Sequence, residues 1–75
     1  MDRFVYDIMV GITPFQQCSA IFEARHVLYN TDFENWDGYN RNIDISQFKF
    51  IEKYHGVELW CEIKFGNFFF IKELN

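Results

Sequence analysis

Four side chains in this 75-residue chain are of the types that ligate metals or pair as nucleophile and base: Cys18, His26, His55 and Cys61. Together they have the composition of a two-cysteine, two-histidine zinc site. Zinc sites, however, present their ligands as closely spaced pairs, C-x₂₋₄-C or H-x₃₋₅-H. Cys18 and His26 lie about 80° out of line on a helical wheel. His55 and Cys61 straddle a turn and the middle of a strand pattern. The spacing predicts buried thiols and surface histidines, with no metal and no cofactor.

A Cys–His nucleophilic pair on the same residues would need a cleft, an oxyanion hole and a third orienting group. The sequence contains no G-x-S-x-G, no glycine-rich phosphate loop and no H-E-x-x-H. The expectation is a protein without catalytic residues, not an enzyme. A partial calcium-loop pattern is also present. With Phe33 at position 1, Asn35, Asp37, Gly38 and Asp44 fall at positions 3, 5, 6 and 12. Position 1 requires a carboxylate, so the pattern reads as turn chemistry in which Asp and Asn satisfy local backbone.

These residues sit in a chain of 9.1 kDa with a net charge of −4, 49% hydrophobic and 21% aromatic, including ten Phe. That length accommodates one domain, residues 1–75. A domain this small buries only roughly 60–65% of its unfolded surface, so large aromatics must carry its core. No run approaches the roughly 18 apolar residues of a membrane span, and Met1-Asp2-Arg3 does not open a signal peptide. With two distant cysteines, the expected setting is a reducing cytoplasm, in the host cell if the protein is viral.

Charge is distributed unevenly. Residues 1–46 hold seven acids (Asp2, Asp7, Glu23, Asp32, Glu34, Asp37, Asp44) against three bases, whereas residues 47–75 balance four lysines with four glutamates. The densest acidic stretch is 31–44. This argues against a direct nucleic-acid binder, whose footprint would be basic, and suits a protein partner with a basic surface.

Local patterning predicts the elements. Residues 3–12 alternate, with Phe4, Tyr6, Ile8, Val10 and Ile12 on one side, as a half-buried strand does. Thr13, Pro14 and Gln16 form a helix start with a capping box, and a helix follows over 14–29. Its expected apolar face comprises Phe15, Cys18, Ile21, Phe22, Leu28 and Tyr29. Residues 30–42, crowded with Asn and Asp, read as a long loop. Residues 43–54 read as a strand that places Phe48, Phe50 and Tyr54 on one face and returns through His55 and Gly56, although Asp44 could also cap a helix there. Residues 57–65 alternate strongly, Gly66 and Asn67 form a turn, and 68–74 makes the last strand. The expected fold is α+β, ordered β-α-β-β-β, an antiparallel sheet with one helix on one face.

Two features remain after the core is assigned. Trp60 lies on the polar face of its strand, and Phe69 and Ile71 make a second apolar sheet face that a single helix cannot cover. Either a loop of the chain or a partner must meet it. Aromatics such as Phe48, Phe50, Tyr54, Phe68 and Phe70 could form a stacking platform for single-stranded nucleic acid. The matched lysines and glutamates leave little positive potential for that purpose, so most of these rings are expected in the core.

The expected function is therefore a small acidic protein-interaction module. Asp32, Glu34, Asp37 and Asp44 would engage a basic surface, while Trp36, Tyr39 and Trp60 supply contact area. The most concrete form is an inhibitor of the kind viruses and phages encode against host defences, anti-CRISPR proteins among them. That likeness is one of size and acidity, not of motif. The alternatives are a structural or adaptor protein that forms a homodimer through the uncovered sheet face, and a small nucleic-acid-binding sheet.

Overall fold

The alternation in residues 57–62 places Val57, Leu59 and Cys61 on one face and Glu58, Trp60 and Glu62 on the other. A computed structural model, which describes residues 1–8 and 17–73, places this strand second from one edge of a five-stranded sheet. The elements are β1 (Asp2–Tyr6), α1 (Gln17–Asn30), β2 (Gly38–Asn42), β3 (Phe48–Tyr54), β4 (Val57–Glu62) and β5 (Phe68–Lys72). Two 3₁₀ turns, Phe33–Asn35 and Ile45–Gln47, precede β2 and β3. The strands form one antiparallel sheet in the order β2-β1-β5-β4-β3, with α1 against one face. This is the expected single α+β domain, with the expected helix and strands in sequence and one further strand, β2. No helix among the described residues is long and apolar enough to cross a membrane.

The core on the helix side is aromatic on the sheet and small on the helix. Leu59, Phe68 and Phe70 meet Ala20, Ala24 and Leu28, spaced four apart along α1, and Phe33 closes one side. The expected helix face is rotated: Phe22 is 74% exposed and Tyr29 is also exposed, while Ala24 is fully buried. The bulk needed to fill the layer already comes from the sheet's phenylalanines, so close packing selects the alanine stripe. Ile21 and Leu28 do contact this core. The Thr13, Pro14 and Gln16 start signal, Met9–Ile12, Phe15, the side chain of Cys18 and Leu74 lie outside the described residues.

The opposite face is covered by the chain itself. Because β2 and β3 occupy opposite edges, their connection, residues 43–47, must traverse the sheet. Ile43 is buried with Val5 and Ile71, and Ile45, Phe48, Trp60 and Phe69 pack around them. This short strap supplies the cover that one helix could not.

Three local expectations are corrected. The segment 30–42 is not one long loop: its second half pairs residue for residue with β1, from Tyr6↔Gly38 to Asp2↔Asn42. An edge strand takes its hydrogen bonds from a neighbour and needs no apolar period of its own. Strand β4 stops at Glu62 rather than Phe65. Gly66, at φ 70°, donates to the Glu62 carbonyl (2.7 Å) and closes a five-residue connection over 63–67. In β3, a bulge between Phe50 and Glu52 gives one extra residue, Ile51. Phe48 and Phe50 therefore face the strap side, whereas Tyr54 turns to the helix side and meets Tyr29 edge-on at 5.1 Å. The hairpin after β3 follows expectation, with His55 (φ 49°) and Gly56 (φ 79°) both left-handed.

Candidate functional site

The acidic stretch is organised by one buried ring. Phe33, in the first 3₁₀ turn, packs against Tyr6 (4.9 Å between centroids) and Phe70 (5.5 Å). Its neighbours therefore point outward: Asp32, Glu34, Trp36 and Asp37 are all exposed. The turn is closed by Asn35 N–H to the Asp32 carbonyl (3.2 Å) and Trp36 N–H to the Phe33 carbonyl (3.1 Å), and the Asn35 side chain donates to the Asp32 carboxylate. Asp37 is fixed by its carbonyl, which accepts from Asp7 N–H at 2.9 Å. The Asp32, Glu34 and Asp37 carboxylates make no ion pair with the described residues. Glu34 also lies near the Tyr6 phenol, whose pKa is raised first by burial and then by that charge.

The expected aromatics straddle the sheet edge. Trp36, 47% exposed, lines an open cleft on the helix side with Phe4, Glu34, His55, Lys72 and Glu73, of about 540 Å³. Tyr39, 48% exposed, lines a second cleft on the strap side with Arg41, Phe65 and Phe69. Arg41 lies over the Phe69 ring at 4.7 Å, a cation–π contact. Residues 32–39 thus form one exposed rim running onto β2. Asp32, Glu34, Trp36, Asp37 and Tyr39 are brought together along it.

Asp44 and Trp60 are placed elsewhere. Asp44 follows β2, beside Met1, at the far end of the ladder from Asp37. Its carboxylate caps the second 3₁₀ turn, accepting from Ser46 N–H (3.1 Å) and Ser46 Oγ–H (2.7 Å), and those bonds lower its pKa. Trp60 is partly buried among the strap residues, with its ring edge-on to Phe50 at 5.2 Å.

The residues with metal or nucleophile chemistry are dispersed. His26 Nδ1 is 3.3 Å from Asn30 Nδ2 on the helix, and His55 sits in the β3–β4 turn. Cys61 is partly buried, and desolvation pushes its thiol pKa up, which disfavours the reactive thiolate. No three His, Cys, Asp or Glu side chains among the described residues are grouped as a metal site. Of the proposed stacking rings, Phe68 and Phe70 are core. The cleft residues Phe4, His55, Lys72 and Glu73 carry no spacing signal in the sequence, because only sheet pairing makes them neighbours.

Compared with models of protein families, with curated proteins and with solved structures, the chain matches none.

Proposed function

We propose that this protein is a non-catalytic binding module whose exposed rim, residues 32–39, docks on a basic surface of another protein. The observation that supports the reading is the conjunction on one short segment of three carboxylates without a cationic partner among the described residues and two half-exposed aromatics. The carboxylates steer and orient the encounter, and Trp36 and Tyr39 provide the buried contact area that carries most binding energy. Anchoring by Phe33 preorganises the 3₁₀ turn, which limits the ordering cost on association.

In its most specific form the module is an inhibitor of viral origin, in the manner of anti-CRISPR proteins, and occupies a basic site that nucleic acid would otherwise use. Asp44 and Trp60 then act structurally: Asp44 as a cap, Trp60 as support for the strap. The test is a pulldown from the native host with wild-type protein and with the triple variant Asp32→Lys, Glu34→Lys, Asp37→Lys. A partner retained by the wild type, lost by the variant and displaced by nucleic acid supports the proposal. Equal retention by the two proteins overturns it.

A further inference from the structure

The outer edge of β2 carries a row of unpaired backbone groups whose direction can be read from its inner bonds. Ile43 N–H donates to the Met1 carbonyl (3.0 Å) and Asp7 N–H to the Asp37 carbonyl (2.9 Å). In an antiparallel ladder, hydrogen-bonded and non-hydrogen-bonded positions alternate. The odd-numbered residues 37–43 therefore bond β1, and Gly38, Asn40 and Asn42 present their N–H and C=O groups outward. No hydrogen bond among the described residues uses those outward groups. The two sheet edges are not equivalent. β3 has a bulge at Ile51 and carries Lys49 and Lys53, devices that discourage pairing. β2 is regular, lacks proline and lysine, and is exposed from Tyr39 to Asn42. Its one cation, Arg41, is turned onto the Phe69 ring.

We infer that β2 is the contact of a two-fold homodimer, pairing antiparallel with β2 of a second copy about Asn40. In this register Asn40 faces Asn40 of the other copy and Gly38 faces Asn42. All three are outward-bonding positions, so six main-chain hydrogen bonds close at once. On the strap side Tyr39 lies opposite Arg41 of the second copy, whose alkyl stem it can cover while the guanidinium stays on Phe69, with Asp37 one diagonal step from the same residue. Asp37 lies opposite Ile43 and Asp44 opposite Trp36, so no acid opposes an acid although each copy has a net charge of −4. The outcome is a continuous ten-stranded sheet. This inference needs no basic partner, since it rests on backbone register, although Trp36, Asp37 and Tyr39 of the rim border the contact.

Sedimentation across a dilution series should give twice the 9.1 kDa chain mass at high concentration, with Asn40→Pro held at the monomer mass. The proline removes only an outward N–H, so circular dichroism should keep the wild-type spectrum. Register is tested by oxidation of variants that each add one cysteine to the native two. Cα atoms of a hydrogen-bonded antiparallel pair are about 5.5 Å apart, within the roughly 4.4–6.8 Å span of disulfides. Asn40→Cys should therefore link two copies through the substituted position, located by peptide mass spectrometry to separate it from native Cys18 and Cys61. Asn42→Cys places its two copies about 13 Å apart along the ladder and should not link. A wild type that stays monomeric at every concentration overturns the inference. So does equal linking by the two cysteine variants, which also decides the matter if Asn40→Pro fails to fold. Loss of partner capture on charge reversal at Asp32 and Glu34, with dimer mass unchanged, would separate this contact from the rim.

Discussion

The indole N–H of Trp60 donates to the carboxylate of Glu58 at 2.9 Å, two residues back on the same face of β4. Glu58 is only 7% exposed. A tryptophan on the nominally polar side of a strand thus has a structural use: its ring packs under the strap and its N–H helps to satisfy a buried acceptor. Trp60→Phe keeps an aromatic ring against Phe50 but removes the donor. The expected loss is about 1–3 kcal/mol of unfolding free energy, read by urea denaturation. A midpoint equal to wild type would show the bond to be dispensable.

The face of α1 that meets the sheet can be tested by a pair of substitutions. Ala24→Leu forces three extra carbons into a site with no exposed surface and should cost about 1–3 kcal/mol by overpacking. Phe22→Ser, at a position 74% exposed, should change stability by no more than about 0.5 kcal/mol. Thermal melts of the two variants give the comparison, and the order of effects would reverse if the phenylalanine faced the core.

Gly38 is required by a close approach of backbones. A Cβ built there lies 2.4 Å from the Val5 carbonyl oxygen and 2.6 Å from the Phe4 ring. The carbonyl cannot move without breaking the β1–β2 ladder, so Gly38→Ala should cost about 2–3 kcal/mol. Hydrogen exchange should show the loss of protection confined first to the β1–β2 pair. Gly56→Ala meets only the Glu73 carboxylate at an ordinary 3.9 Å contact but must adopt φ 79°, at a cost of about 1–2 kcal/mol.

Stability should carry an acidic limb from Asp44. Its hydrogen bonds from the Ser46 hydroxyl and the Ser46 N–H hold its pKa below the usual carboxylate value. A group with a depressed folded pKa contributes stability above its unfolded pKa and loses it as pH falls through the folded one. Wild type should therefore lose more stability than Asp44→Asn on acidification below the ordinary carboxylate range. Carboxyl chemical shifts through an acid titration check the direction directly, and Ser46→Ala should move the Asp44 midpoint up.

What was legible in the sequence is what depends on neighbours in the chain. The alternation from Val57 to Glu62, the left-handed pair His55 and Gly56, the cap at Asp44 and the concentration of acid before residue 46 are local facts. So is the exposure of Asp32 and Glu34, since a single apolar residue, Phe33, sits between them.

Tertiary structure decided the rest, because those features depend on a partner surface supplied by distant residues. Strand β2 exists because β1 offers it a ladder and Gly38 allows the approach. The buried face of α1 follows from the size of Phe68 and Phe70, which leaves space for Ala20 and Ala24 and none for Phe22. The bulge at Ile51 reverses the side on which Tyr54 emerges, and the strap covers Trp60 because β2 and β3 lie at opposite edges. Periodicity reports which residues are apolar. It does not report how large their neighbours are, and packing at crystal-like density is decided by that fit.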